Sequence, residues 1–125
     1  MTSKCSGINV FSGEPVEVRF NSVIGGVDEL VDASYAEGAP YVAPGFIDLQ
    51  VNGFAGVDYN SPTTAHEEIA RSICEIFATG VTRFYPTLIT GGPDELIGSL
   101  KNLAAAKANL TDGAAMDGFH VEGPF

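Results

Sequence analysis

Apolar and polar positions alternate first with the period of strands, then with the spacing of helices. Residues 1–43 carry the runs Ile8-Asn9-Val10-Phe11, Val16-Glu17-Val18-Arg19-Phe20 and Ser22-Val23-Ile24. Val16, Val18 and Phe20 alternate with Glu17 and Arg19, the pattern of a half-buried strand. Gly25-Gly26 and Gly38-Ala39-Pro40 read as turns. The expected unit is a small sheet, half of a β-sandwich.

From residue 44 the pattern changes. Phe46 to Gly53 places Ile47, Leu49 and Val51 on one face of a strand and Asp48, Gln50 and Asn52 on the other. An unpaired buried polar group costs about 1–3 kcal/mol. A polar face on a strand that reads as central therefore predicts a strand end lining a polar site. Ser61 is the expected N-cap of a helix with Pro62 at its first position. Ile69, Ile73, Ile76 and Phe77 form one apolar stripe, and Gly80 is the expected C-cap. Val81 to Leu88 is the next strand, with Pro86 predicting irregularity near its end. Pro93-Asp94-Glu95 opens a second helix with the stripe Leu96, Leu100, Leu103 and Ala104, closed by Thr111-Asp112-Gly113. Met116 to Glu122 is the third strand. Residues 44–125 thus read as β-α-β-α-β, an α/β arrangement with a parallel sheet, helices on its outer face and chemistry at the strand C-termini.

Composition narrows the functional classes. The 125 residues are 45% hydrophobic, enough for a packed core. The net charge is −10 with only six Lys and Arg, so no basic face for nucleic acid can be assembled. There is neither an apolar run of membrane-spanning length nor the basic-then-apolar start of a secretory signal. Cys5 and Cys74 show no framework spacing and read as reduced thiols. A cytoplasmic location is the expectation, with no nucleic-acid or membrane partner.

The candidate chemistry sits at strand ends. His120-Val121-Glu122 puts an imidazole and a carboxylate on one strand face, and Gly123-Pro124 breaks the strand beside them. Glu122 is a candidate metal ligand; His120 can ligate, orient water or bind substrate. A satisfied polar pair is the plain alternative. The amides of Gln50 and Asn52 are poor zinc ligands but suit a metal-bound water or a substrate hydroxyl; a turn-forming Asn-Gly is the alternative there. His66 reads as a residue of a solvated helix face, and no spacing rule selects Asp48 or Asp58. The glycines form no phosphate-binding loop pattern.

Three motifs in order carry a family resemblance: Pro44-Gly45-Phe46-Ile47-Asp48-Leu49-Gln50-Val51-Asn52-Gly53, Gly80 to Thr90, and His120-Val121-Glu122-Gly123-Pro124-Phe125. The first resembles the opening barrel strand of the amidohydrolase superfamily, with Gln50-x-Asn52 where the commoner form has H-x-H. Together they resemble the N-acetylglucosamine-6-phosphate deacetylase family. The resemblance implies the first three strands and two helices of a (β/α)8 barrel, preceded by strands of a small β-sandwich. It implies metal-assisted hydrolysis of the acetamide of a phosphorylated amino sugar, in amino-sugar catabolism, with Glu122 holding one divalent ion, zinc or another transition metal. Gln50, Asn52 and His120 would line the pocket for substrate or water. A homo-oligomeric whole enzyme is left open.

A barrel of this type takes roughly 250 residues, and a catalytic zinc usually has about three protein ligands. The chain therefore reads as an N-terminal portion, with no catalytic proton-transfer residue of its own and no activity in isolation. Two alternatives stand beside this reading: another amidohydrolase, disfavoured by the missing H-x-H, and a small non-enzymatic α/β binding module.

Overall fold

The computed structural model describes residues 2–31 and 38–123. Two compact units divide at Pro44 and Gly45. The first is a four-stranded sheet of β1 (Ser3–Asn9), β2 (Pro15–Phe20), β3 (Ile24–Glu29) and β4 (Tyr41–Val42), in the order β3-β2-β1-β4. β2 runs antiparallel to β1 and β3, and β4 runs parallel to β1. Val16 and Val18 are buried, as the alternation predicts.

Two strands of this unit lie elsewhere than expected. The first ends at Asn9 instead of running to Phe11. The Asn9 side chain accepts from the Phe11 N–H at 2.9 Å and its carbonyl accepts from Gly13, so the chain turns there. Residues 21–23 are likewise a turn, in which the Asn21 side chain accepts from the Val23 N–H at 3.2 Å. The strand follows them, so Gly25-Gly26 lies inside β3 and not in a turn.

The second unit contains the parallel sheet β5 (Phe46–Val51), β8 (Val81–Leu88) and β9 (His120–Val121), in the order β5-β8-β9. Between β5 and helix α1 (His66–Phe77) comes a hairpin of β6 (Gly53–Phe54) and β7 (Val57–Asp58). Helix α2 (Pro93–Asn109) joins β8 to a short helical turn at Gly113–Ala115. Ile69, Ile73 and Ile76 of α1 and Leu103 and Ala106 of α2 pack on Phe84 and Leu88 of β8, with Met116, Tyr59, Val51 and Val57 completing the core. Tyr59 stacks on Phe84 at a centroid distance of 6.1 Å. Its buried hydroxyl pairs with Ser72, and burial holds its pKa above the usual phenol range.

Pro93 opens α2 at the predicted place. Helix α1 begins at His66 and not near Ser61. The Ser61 hydroxyl accepts from Thr63 N–H at 3.3 Å and closes a turn. Thr64 donates to the Asp58 carbonyl at 2.7 Å, and its own carbonyl accepts from Asn102 on α2 at 2.8 Å. Those contacts hold residues 61–65 out of the helix. The helix ends at Phe77 with Ala78, not Gly80, as its C-cap, and Gly80 follows in the left-handed region at φ +88°. Phe77 stays 37% exposed at the margin of its stripe.

The third strand is shorter than expected. Met116 bridges Phe84 and the Asp117 N–H donates to the Phe84 carbonyl at 2.9 Å, then residues 118–119 leave the ladder before β9. The Asp117 side chain takes an ion pair from Arg83 and a hydrogen bond from the Tyr85 hydroxyl at 3.1 Å. β5, read as central, is the edge of the three-stranded sheet among the described residues, and Ile47 and Leu49 are exposed on it.

The Arg83 hydrogen bond holds the Asp117 carboxyl below the usual carboxylate range, with the Tyr85 hydroxyl adding to the effect. A depressed carboxylate stabilises the fold above its unfolded pKa and loses that contribution as pH falls through the folded value. Urea midpoints should therefore fall on acidification below the ordinary aspartate value of 3.8, and Asp117→Asn should flatten that fall. An unchanged acid limb in Asp117→Asn would show the pair to be energetically silent, as many exposed pairs are.

Candidate functional site

The polar face of β5 and the end of β9 meet on the second unit. Gln50 Nε2 donates to Glu122 Oε2 at 2.9 Å, across 72 positions of sequence. Both side chains are exposed, so the pair is open to a ligand. The backbone of Glu122 is held by β8 and the loop after it: its N–H donates to the Leu88 carbonyl at 2.8 Å, and its carbonyl accepts from the Thr90 hydroxyl at 3.3 Å.

His120 Nδ1 lies 3.1 Å from the Leu49 carbonyl. A carbonyl only accepts, so Nδ1 carries the hydrogen, and in the neutral ring Nε2 is left as the acceptor. That is the arrangement of an imidazole oriented for ligation or proton exchange. Asn52 follows β5 with its side chain exposed. Its carbonyl accepts from the Tyr59 N–H at 3.2 Å and from Asn60 Nδ2 at 3.2 Å.

The remaining candidates turn away. Asp48 accepts from the Gln50 N–H at 3.1 Å within β5, where the register shifts, and Asp58 accepts from the Asn60 N–H at 2.8 Å just after β7. His66, read as part of a solvated face, is half-buried: its Nε2 meets Asn102 Oδ1 at 3.1 Å and ties α1 to α2. Pro124, expected to fix the strand exit, lies outside the described residues, as does Phe125.

Pro86 shapes the same strand ends. It has no N–H, and the β5–β8 register shifts between Asp48 and Val51. The Val51 N–H turns to the buried Thr87 hydroxyl at 3.1 Å. Asn60 occupies the space beyond. Its Nδ2 donates to the Asn52 and Thr87 carbonyls at 3.2 and 3.1 Å, and its Oδ1 accepts from the Ile89 N–H at 2.8 Å. Thr87 and Thr90 lie inside the Gly80 to Thr90 motif but carry no sign of a site role there, and Asn60 lies outside all three motifs. Tyr59-Asn60-Ser61-Pro62 carries only the signal of a loop, and the partners of Asn60 are remote in sequence.

As a metal centre the donor set is partial. Glu122 is a hard oxygen ligand and the neighbouring amides are weak ones. Among the described residues no group of three or more His, Cys, Asp or Glu is placed to hold an ion. Three cations of the second unit are engaged elsewhere: Arg83 on Asp117, Arg71 on the Ala55 carbonyl, and Lys107 on the Met116 carbonyl. Among the described residues no helix is long and apolar enough to cross a membrane.

No family model matches the chain. Relatives do. It is 42% identical over 88 residues to an N-acetylglucosamine-6-phosphate deacetylase of Caenorhabditis elegans, which covers 67% of this chain and 21% of the relative. It is 38% identical over 92 residues to the human protein of that name, covering 70% of this chain and 22% of the relative. Among solved structures, an N-acetyl-D-glucosamine-6-phosphate deacetylase variant of Mycobacterium smegmatis, in complex with N-acetyl-D-glucosamine-6-phosphate, superposes with a TM-score of 0.68 at 27% identity. The match covers 88% of this chain and 28% of that one. The enzyme of Pasteurella multocida, at 21% identity and a TM-score of 0.66, shares the fold over all of this chain and 35% of its own. The chain spans about a fifth of the length of the curated relatives it matches.

Proposed function

We infer that this chain, homologous to the N-acetylglucosamine-6-phosphate deacetylases over about two thirds of its length, forms one wall of such an enzyme's active site. The observation that carries the reading is the Gln50–Glu122 contact at 2.9 Å, which joins two of the family-like motifs at the ends of near-neighbouring parallel strands. The β5-α1-β8-α2-β9 unit would be the opening part of a (β/α)8 barrel, in which sites gather at strand C-termini.

In this reading Glu122 holds one divalent metal ion, and the Gln50 amide orients its carboxylate. When bound, such an ion polarises an amide carbonyl and lowers the pKa of water. Gln50 and Asn52 offer amide donors to the water or to the sugar. His120, fixed through Nδ1, presents Nε2 to the same space. The proton-transfer carboxylate, the other ligands and the cations for a sugar phosphate would come from the length of the relatives that this chain does not span. The substrate is N-acetylglucosamine 6-phosphate and the products are glucosamine 6-phosphate and acetate.

The experiment is acetate release from N-acetylglucosamine 6-phosphate by a hybrid in which the matched segment of this chain replaces its counterpart in the Caenorhabditis elegans relative. Turnover above a Glu122→Ala hybrid is expected. Equal activity in the two would overturn the assignment of Glu122.

Metal number follows from the amides. Carboxamides do not replace imidazoles around a transition metal, so the hybrid should hold one tight equivalent. Gln50→His with Asn52→His should raise that number by elemental analysis. Two tight equivalents before substitution would contradict the single-ion reading.

A further inference from the structure

We propose that Asn60 is the positioning residue of the Gln50–Glu122 pair, an inference that rests on reading that pair as the wall of a hydrolytic site. One carboxamide engages three backbone groups at the ends of two strands: the carbonyls of Asn52 at 3.2 Å and Thr87 at 3.1 Å through Nδ2, and the Ile89 N–H at 2.8 Å through Oδ1. The backbone of Asn60 is fixed in turn. Its N–H donates to Asp58 Oδ1 at 2.8 Å, and its carbonyl accepts from the buried Ser99 hydroxyl at 2.8 Å. The loop after β7 is thereby anchored to α2, and the side chain becomes a staple between β5 and β8.

Each stapled residue adjoins one that holds the pair. Val51, beside Asn52, donates to the Thr87 hydroxyl at 3.1 Å and follows Gln50 directly. Leu88, between Thr87 and Ile89, accepts the Glu122 N–H at 2.8 Å. Thr90, after Ile89, donates to the Glu122 carbonyl at 3.3 Å. The ladder cannot hold these ends by itself. Pro86 supplies no N–H, and the β5–β8 register shifts just where the ends must be set. Asn60 replaces the missing ladder contacts.

The chemistry selects an amide. Nδ2 supplies two hydrogens for two carbonyls, and Oδ1 supplies the acceptor for the Ile89 N–H. A carboxylate would keep the acceptor and set negative charge against two carbonyl oxygens. An alanine would take the side-chain partner from the Thr87 carbonyl and the Ile89 N–H, and would leave the Asn52 carbonyl with the Tyr59 N–H alone.

The test is nuclear magnetic resonance on this 125-residue chain at pH 7, reading the Gln50 side-chain amide protons. Glu122→Ala defines their position without the pair, and they should lie downfield of it in the unaltered chain. In Asn60→Ala and Asn60→Asp they should move to the Glu122→Ala position. The backbone amides of Ile69, Ile73, Phe84 and Leu103 should meanwhile stay protected from exchange. Gln50 signals unmoved in either Asn60 variant would overturn the proposal. So would loss of core protection in both variants, which would make Asn60 a residue of the fold at large. Gln50 signals that ignore Glu122→Ala would instead remove the pair, and with it the site reading on which the proposal stands.

Discussion

Phe84→Ala should unfold most of the second unit at ordinary temperature, with a loss of about 3–5 kcal/mol. Phe84 is fully buried at the centre of β8, against both helices and against the Tyr59 ring. Its removal deletes the burial of an aromatic ring and leaves a cavity bounded by a fully buried Tyr59 and fully buried isoleucines. The stacked pair adds about 0.5–1.5 kcal/mol beyond area. A unit of this size has roughly 0.05–0.15 kcal/mol per residue in hand, so one substitution consumes much of it. Phe46→Ala is the matched control. Phe46 lies on the neighbouring strand but is 67% exposed, and truncation there should change stability by about 0.5 kcal/mol or less. Urea denaturation of both variants tests the contrast. A mild Phe84→Ala beside a severe Phe46→Ala would contradict a core centred on Phe84.

Glu122→Ala should bring acetate release by the hybrid to background. Gln50→Ala should lower it by about 10–100-fold, the usual consequence of removing a group that orients a ligand. The difference in size follows from the geometry: Glu122 is the one carboxylate of the pair, and Gln50 acts through it at 2.9 Å. The 125-residue chain alone should release no acetate above the Glu122→Ala level with any divalent metal added. One carboxylate stands where about three ligands are needed. Gln50→Ala at full activity would make the amide contact incidental.

Local physics made much of this fold readable. Pro93 with acids behind it marks the start of α2, and the isoleucine stripe at 69, 73 and 76 marks the face that α1 buries. Gln50 meets Glu122 as a site-lining residue would, although the register shift between Asp48 and Val51 interrupts the alternation that predicts it. The misread parts are those that distant residues decide. Ser61 has every local sign of an N-cap, yet Asn102 claims the Thr64 carbonyl and moves the helix start to His66. The run Met116 to Glu122 looks like one strand, but only the bridge at Met116 and the pair His120–Val121 join β8, and the Asp117 side chain between them is held by Arg83 and Tyr85. His66 reads as a surface residue until α2 supplies Asn102. Asn60 carries no pattern beyond a turn residue, because its meaning depends on two strand ends that only the fold brings together. The edge position of β5 could not be read from its alternation, which resembles that of a strand paired on both sides.

The central claim is that Glu122 holds a metal ion at a wall shared with Gln50. Elemental analysis of the dialysed hybrid, with and without Glu122→Ala, tests it most directly. One divalent equivalent in the unaltered hybrid, falling to near zero in a Glu122→Ala hybrid that keeps its circular dichroism spectrum, is the expected result. A full equivalent retained without the carboxylate would contradict it.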